Sequence, residues 1–277
     1  MKTSLILGFF DGVHRGHRAV IETAQENPVL ITFKNSPAQF FHKPYKYIYS
    51  REESLKKIKN LGVQNILELD FSSYASMPAE DYINFLVEKF APSTISTGFN
   101  HTFGKNKGGT PDLLFKLQEK YNYKYHCVPA VVDGEDTISS TLIKDLLKRG
   151  EIERANTLLE SNFILEGIVE KGAQLGRTLG FPTANITYPA DIVEIPYGVY
   201  YVKIGKLRGI MNWGEKPTID KNLKPVVEVH IFDFSKDLYG QNIRIEVLKK
   251  IREEIKFANL EDLKQQINKD INTCLEL

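Results

Sequence analysis

Cysteine is scarce: Cys127 and Cys274 are the only two among 277 residues, far apart and without metal-ligand spacing. They read as separate reduced thiols of a cytoplasmic protein, which argues against a disulfide framework or a zinc site. An excess of either charge is also missing, since 36 Lys and Arg stand against 35 Asp and Glu. That balance leaves no electrostatic footprint for sequence-blind binding of nucleic acid, which depends on neutralising phosphates. Long apolar runs are absent too. The stretch from Leu5 to Phe10 ends at Asp11, too short for a signal-peptide core or a membrane span. The expectation is a soluble, cytoplasmic protein with neither membrane nor nucleic acid as partner. No internal repeat or low-complexity tract is present, and nothing sets an oligomeric state.

With 42% hydrophobic and 26% charged residues the composition is that of a folded protein. Its two parts follow different rhythms. From Met1 to about Glu160, short apolar runs at Leu5–Phe9, Val29–Phe33, Ile66–Leu69, Thr94–Thr97 and Tyr125–Val128 alternate with helical patterns. Those patterns cover Arg15–Glu26, Glu52–Leu61, Ala79–Phe90 and a helix from Pro111, capped by Thr110, through Tyr121. Strand–helix alternation predicts an α/β domain, a doubly wound parallel sheet. Two further helices, Thr141–Lys148 and Glu151–Leu159, break at Gly150. Beyond Asn162 the pattern turns β-rich, at Phe163–Glu170, Gly198–Ile204, Arg208–Asn212, Val226–Phe232 and Ile243–Ile251, which predicts a small antiparallel barrel. Leu260, Leu263, Ile267, Ile271 and Leu275 form the stripe of a final helix packed on it. The expected domains are residues 1–160 and 161–277.

The first strand runs into Gly8-Phe9-Phe10-Asp11-Gly12-Val13-His14-Arg15-Gly16-His17. A strand, a glycine-punctuated turn and a helix present backbone N–H groups to a phosphate, and Gly12 and Gly16 allow close approach. His14 and His17 stand three apart at the helix start, so both imidazoles can donate to charge building on a reacting phosphate.

In the second part, Gly172-Ala173-Gln174-Leu175-Gly176-Arg177-Thr178-Leu179-Gly180-Phe181-Pro182-Thr183-Ala184-Asn185 is the densest signal. It lacks the Gly-Lys-Ser/Thr ending of a P-loop. Its three glycines suit a flap over a nucleotide, or equally a plain loop between strands. Thr183 and Asn185 alternate, so an extended segment turns both oxygens the same way, an arrangement that suits hard-oxygen coordination of Mg²⁺. Further on, Glu228 and His230 share one face of a strictly alternating strand, and a carboxylate there can accept the proton of an attacking hydroxyl. Taken singly, each of these residues reads as a turn or surface residue; their order carries the weight.

The first string resembles the nucleotidylyltransferase superfamily, whose signature is His-x-Gly-His. More narrowly, it is similar to the FMN adenylyltransferase half of prokaryotic bifunctional flavin synthetases. That resemblance implies that His14 and His17 stabilise the phosphates of ATP while the phosphate of FMN attacks the α-phosphorus. It implies ATP contacts at Gly8, Phe9, Asp11, Gly12, Gly16 and Asn100, and at Ser139, Ser140 and Thr141, whose motif closes over the phosphates. Three departures stand out. The family's Phe-x-Pro-His-Pro is Phe33-Lys34-Asn35-Ser36-Pro37, and its Gly-Glu-Asn/Asp-Phe-x-Phe-Gly is Gly98-Phe99-Asn100-His101-Thr102-Phe103-Gly104. Leu142-Ile143-Lys144 replaces Arg-Ile-Arg.

The second string, with Tyr197-Gly198-Val199-Tyr200, Asn212-Trp213-Gly214-Glu215-Lys216-Pro217-Thr218, Glu228-Val229-His230-Ile231-Phe232-Asp233-Phe234, Asp237-Leu238-Tyr239-Gly240 and Ile251-Arg252-Glu253-Glu254-Ile255-Lys256-Phe257, resembles riboflavin kinase. The resemblance implies that Gly172, Gly176, Arg177 and Gly180 cover ATP and that Thr183 and Asn185 hold Mg²⁺ with ATP. Glu228 becomes the base for the 5′-hydroxyl of riboflavin, and Arg252 lies on the flavin side. Together the two resemblances imply an enzyme with small-molecule substrates, making FMN from riboflavin and FAD from FMN. Two alternatives stand beside it: a kinase whose altered N-terminal domain has lost adenylyl transfer, and a flavin-binding regulator.

Overall fold

Residues Thr3–Leu7 are all buried and form β1, which sends Leu5 and Leu7 to one face of a sheet and Ile6 to the other. The computed structural model describes residues 2–172, 180–214 and 226–277. Two compact units emerge. One comprises residues up to Tyr47 with Arg51–Leu142, and the other Ile48–Ser50 with Ile143–Leu277.

In the first unit, β1 is followed by α1 (Arg15–Ile21), β2 (Pro28–Phe33), α2 (Pro37–Phe40), α3 (Arg51–Asn60) and β3 (Asn65–Leu69). Then come α4 (Phe71–Tyr74), α5 (Ala79–Phe90), β4 (Pro92–Gly98), α6 (Pro111–Leu117), β5 (Lys124–Val128) and a hairpin of β6 (Val132–Asp133) and β7 (Asp136–Thr137). The strands β3-β2-β1-β4-β5 lie parallel in that order, the doubly wound sheet the sequence predicts. Both faces are covered: Ile6, Leu30, Val20, Ile58 and Val63 pack on one, Leu5, Ile31, Ile95, Ile83 and Leu86 on the other. Because the chain starts in the middle and winds first to β3, then to β5, the order reverses between β1 and β4. Open sheets of this type bind ligands in the crevice beyond the strand ends at that reversal.

Two helices are shorter than their patterns. α1 stops at Ile21, five residues before Glu26, as the Thr23 hydroxyl takes the Val20 carbonyl at 2.7 Å and Asn27 turns left-handed at φ 40°. α6 ends at Leu117, and Asn122 at φ 53° redirects the chain into β5. The first strand also ends earlier than expected, at Leu7, with Phe9 already in the turn.

α7 (Ser140–Arg149) and α8 (Ile152–Leu159) meet at Gly150, whose φ of +77° requires glycine. In the second unit β8 (Phe163–Glu170), β9 (Ala184–Thr187), β10 (Gly198–Ile204), β11 (Leu207–Gly214), β12 (Val226–Ile231) and β13 (Asn242–Arg252) close into a barrel in the order β10-β11-β12-β9-β8-β13. Neighbours are antiparallel throughout, and closure removes the exposed edges. Trp213, Tyr200, Phe163 and Met211 are fully buried.

The last helix, α9 (Leu260–Leu275), is capped by Asn259, whose side chain accepts from the Asp262 N–H. It packs Ile267, Ile271 and Cys274 on Val199, Tyr201, Ile210 and Phe232. Leu260 and Leu275, expected in that stripe, are exposed. The buried line runs through Ile267, Asp270, Ile271 and Cys274, at spacings of three and four, and Leu275 falls one position beyond it.

Candidate active sites

Beyond β1 the backbone reverses sharply. Phe10 (φ 56°), Gly12 (φ 88°) and Val13 (φ 47°) are all left-handed, a costly conformation for a β-branched valine and the kind of strain that clusters at functional turns. The turn is held from three sides. The Thr32 hydroxyl donates to the Phe9 carbonyl at 3.4 Å, the Ser140 hydroxyl donates to the Asp11 carbonyl at 2.8 Å, and the Tyr45 hydroxyl donates to Asp11 Oδ2 at 2.8 Å. Gly8 lies against the Phe10 ring, where a Cβ would come within 2.8 Å.

His14 is the N-cap of α1, its Nδ1 accepting the His17 N–H at 3.4 Å. Accepting at Nδ1 leaves the proton of the neutral ring on Nε2. The two imidazoles stack at 3.7 Å between centroids and 21° between planes. Gly16 leaves room for that stack, since a Cβ there would approach His14 Cε1 to 3.1 Å. Burial pushes His14 down to about 4, and burial plus the neighbouring His14 holds His17 well below its ordinary value. Both rings are therefore neutral at pH 7, each with one N–H. His17 Nδ1 is buried with no hydrogen-bond partner among the described residues.

The other expected groups come from three elements. Ser140 starts α7, Ser139 caps it by accepting the Leu142 N–H at 3.2 Å, and Thr141 is exposed. The Ser140 hydrogen bond brings this N-terminus to Asp11. Asn100 is exposed in the turn after β4, across the reversal from Gly8 and Gly12. His101, which replaces a family phenylalanine, stacks on Phe103 at 5.7 Å and is pushed down to about 4 by burial.

Where the family carries histidine, Ser36 is buried as the cap of α2. Its N–H donates to the Tyr47 hydroxyl at 2.9 Å, and that hydroxyl donates to Gln39 Oε1 at 2.7 Å. Lys34 and Ser36 line a cavity of about 220 Å³ beyond β2 and β3, walled by Phe40 and Phe71. Tyr45 and Tyr47 pack on Phe9 at 6.0 and 6.2 Å, linking this cavity to the turn. Sequence reasoning missed both tyrosines; their signal was the alternation Tyr45, Tyr47, Tyr49 in a region without helical pattern.

In the barrel, register places the kinase candidates in one row. Asn185 on β9 pairs with Glu228 on β12, and Glu228 pairs with Asn212 on β11. Paired residues point to the same face. That face is outward, because Val227, Val229 and Ile231 are buried while Glu228 and His230 are partly exposed. Burial raises the Glu228 carboxyl above its usual range, which makes it a stronger proton acceptor. Thr183 lies immediately before β9, two residues from Asn185. Gly172 closes against Asn185, where a Cβ would sit 2.1 Å from Nδ2, and Gly180 turns at φ +90° in open space. Gly176, Arg177 and the segment Glu215–Thr218 lie outside the described residues.

Arg252 ends β13 with its guanidinium already engaged. Nε donates to both Asp270 oxygens at 3.0 Å, Nη2 to Oδ2 at 2.8 Å and Nη1 to the Glu253 carbonyl at 2.9 Å. It thus ties the barrel to α9. Asn212, absent from the sequence-based candidates, joins the row through register alone.

A strained glycine turn at the reversal of a parallel sheet, and one carboxylate flanked by two asparagines on a closed barrel, are the two candidate sites of an enzyme. Family models match residues 1–142 as FAD synthetase and residues 159–277 as riboflavin kinase. The chain belongs to the bifunctional riboflavin kinase/FMN adenylyltransferase family. It is 33% identical over 288 residues to the member so named from Bacillus subtilis (strain 168), covering 97% of this chain and 90% of that protein. The Escherichia coli (strain K12) member is likewise 33% identical, with 98% and 91% covered. A solved structure described as a macrolide-efflux protein from Streptococcus pneumoniae is 30% identical and superposes with a TM-score of 0.90 over 100% of this chain and 94% of that one. Among the described residues here, no helix is long and apolar enough to cross a membrane.

Proposed function

We propose that this chain phosphorylates riboflavin with ATP to FMN, and adenylylates FMN with ATP to FAD, as a cytoplasmic enzyme. The observation that carries the kinase reading is the register Asn185–Glu228–Asn212, which sets a desolvated carboxylate beside an amide oxygen on one barrel face. Glu228 accepts the proton of the 5′-hydroxyl as its oxygen bonds to the γ-phosphorus and the bond to ADP breaks. Phosphoryl transfer asks the protein mainly to position reactants and offset charge. Thr183 and Asn185 supply a hydroxyl and an amide oxygen, hard donors that fit Mg²⁺. When bound there with ATP, that ion neutralises phosphate charge. Gly172 and Gly180 flank the nucleotide, and Arg252 braces the flavin side by fixing α9.

In the first unit the ATP phosphates sit over Gly8, Phe9, Asp11, Gly12 and Gly16, with Asn100 and Ser139–Thr141 closing the site. An FMN phosphate oxygen attacks the α-phosphorus and pyrophosphate leaves. His14, through Nε2–H, and His17 donate hydrogen bonds to the charge that develops, as neutral imidazoles able to stabilise it without a proton exchange. Lys34 lines the same cavity as Ser36 and puts a cation two residues from the position of the family's histidine.

A chromatographic time course with riboflavin, ATP and Mg²⁺, repeated from FMN, tests both halves. FAD in both runs is the expected result; no FMN from riboflavin overturns the kinase reading. The second reading, a kinase alone, is favoured by one observation, Ser36 in place of histidine. FMN accumulating without FAD would establish it.

A further inference from the structure

We propose that His230 is a positioning residue of the kinase site, holding the Pro182 carbonyl so that Thr183 stays in line with Asn185 and Glu228. The inference rests on the kinase reading above. The β9–β12 ladder pairs Val227 with Ile186, Glu228 with Asn185 and Val229 with Ala184, and stops there. Two residues earlier stands Pro182, which has no N–H and cannot extend a ladder. Without another tether the chain is free to peel from the barrel at Thr183, the residue whose hydroxyl must share a face with Asn185.

The tether is a side chain. His230 Nδ1 lies 2.9 Å from the Pro182 carbonyl, and since a carbonyl only accepts, Nδ1 carries the hydrogen. The imidazole is held by two aromatic rings. Phe181 meets it edge-on at 5.6 Å and 87°, and Phe232 lies at 5.9 Å and 53°. His230 is two residues from Glu228 on the same strand face. One strand, β12, therefore places the base directly and the metal-side hydroxyl through His230. The geometry of Thr183 relative to Glu228 is then set by a single rigid element, as a site that needs sub-ångström positioning demands.

The test separates the hydrogen bond from the packing. His230→Phe keeps a ring between Phe181 and Phe232 and removes the donor; His230→Asn loses the ring and keeps a donor nitrogen near the place of Nδ1. In the full chain, His230→Phe is expected to raise KM for ATP and the half-saturating Mg²⁺ concentration about 3- to 10-fold, the worth of one net hydrogen bond. KM for riboflavin stays within about twofold, and FAD formation from FMN is unchanged. His230→Asn is expected to return both values to within about twofold of wild type. An unchanged ATP KM in His230→Phe, an equal rise in both substrate KM values, or no recovery in His230→Asn would each overturn the inference while leaving the kinase reading intact. A wild-type chain that makes no FMN would overturn the reading itself.

Discussion

Replacing Gly172 by alanine places a methyl carbon 2.1 Å from Asn185 Nδ2 and 2.4 Å from its Cγ. Heavy atoms come into favourable contact near 3.5 Å, so the amide must retreat by more than roughly 1 Å. The backbone does not oppose the change, since Gly172 is not in the left-handed region. The loss therefore falls on Asn185, an off-rotamer shift of about 0.5–1.5 kcal/mol, which overlaps the low end of the ~1–3 kcal/mol of typical overpacking. Catalysis is more exposed than stability. A misplacement of ~1 Å can cost about a hundredfold, and a lost contact to a charged partner ~1.5–3 kcal/mol. We expect kcat/KM for riboflavin phosphorylation to fall about 10- to 100-fold in Gly172→Ala. FAD formation from FMN, measured on the same preparation, should be unaffected. Kinase activity within twofold of wild type, with unchanged melting, would refute a role for the closely packed Asn185 amide.

Glu228→Gln is expected to fold and to lose most kinase turnover, and near-normal turnover would remove Glu228 from the mechanism. Because burial raises this carboxyl above 4.5, the wild-type rate should fall on acidification through a pKa above the ordinary carboxylate value. Its protonated form is favoured in the fold, so the associated stability is fully present below the unfolded pKa and is lost as pH rises through the raised folded one. Accordingly, Glu228→Gln should melt higher than wild type at neutral pH and equal to it in acid. His14→Asn keeps a good N-cap while withdrawing the Nε2 donor, so FAD formation should drop about 10- to 100-fold with little change in melting; parallel loss of both would make His14 merely structural. His14, His17 and His101 are all depressed by burial. Stability of the first unit should therefore be full above about 6.5 and be lost as pH falls toward about 4, and an imidazole NMR titration of His14 centred near 6.5 would contradict the burial. Asp270→Ala strands the Arg252 guanidinium beside α9 and should cost about 3–5 kcal/mol of barrel stability by denaturant titration; a loss below ~1 kcal/mol would mean the pair is effectively solvated.

Alternating apolar runs and helical stripes made the sheet order and the barrel class legible, because both record burial directly in sequence period. Shorter pieces escaped. β9 is four residues long and starts two residues after Pro182, while α2 and α4 are single turns capped by Ser36 and Asp70, too short to develop a period. The ends of α1 and α6 depended on a threonine hydroxyl and left-handed asparagines rather than on composition. In the sites, residues carried by contiguous motifs were readable: His14, His17, Thr183, Asn185 and Glu228. Tyr45 and Tyr47 were not, since only folding back of a loop brings them to the motifs, and the pairing of Asn212 with Glu228 needed cross-strand register. The cap role of His14 was likewise invisible, as histidine is not a customary N-cap residue.

Tyr49 bears on how such a two-activity gene can be divided. Residues Ile48–Ser50 belong to the barrel unit although they lie deep in the N-terminal half of the chain. The Tyr49 ring is fully buried and stacks on Phe163 at 6.4 Å, its hydroxyl donates to the Asn162 carbonyl at 3.0 Å, and the Ser50 hydroxyl donates to Glu166 at 2.8 Å. A single cut anywhere after residue 50 therefore strips the kinase half of an internal part, exposing apolar surface where Tyr49 had been. A barrel produced by itself would need a substitute for those three residues, so the border between the two units is not a single point in the sequence.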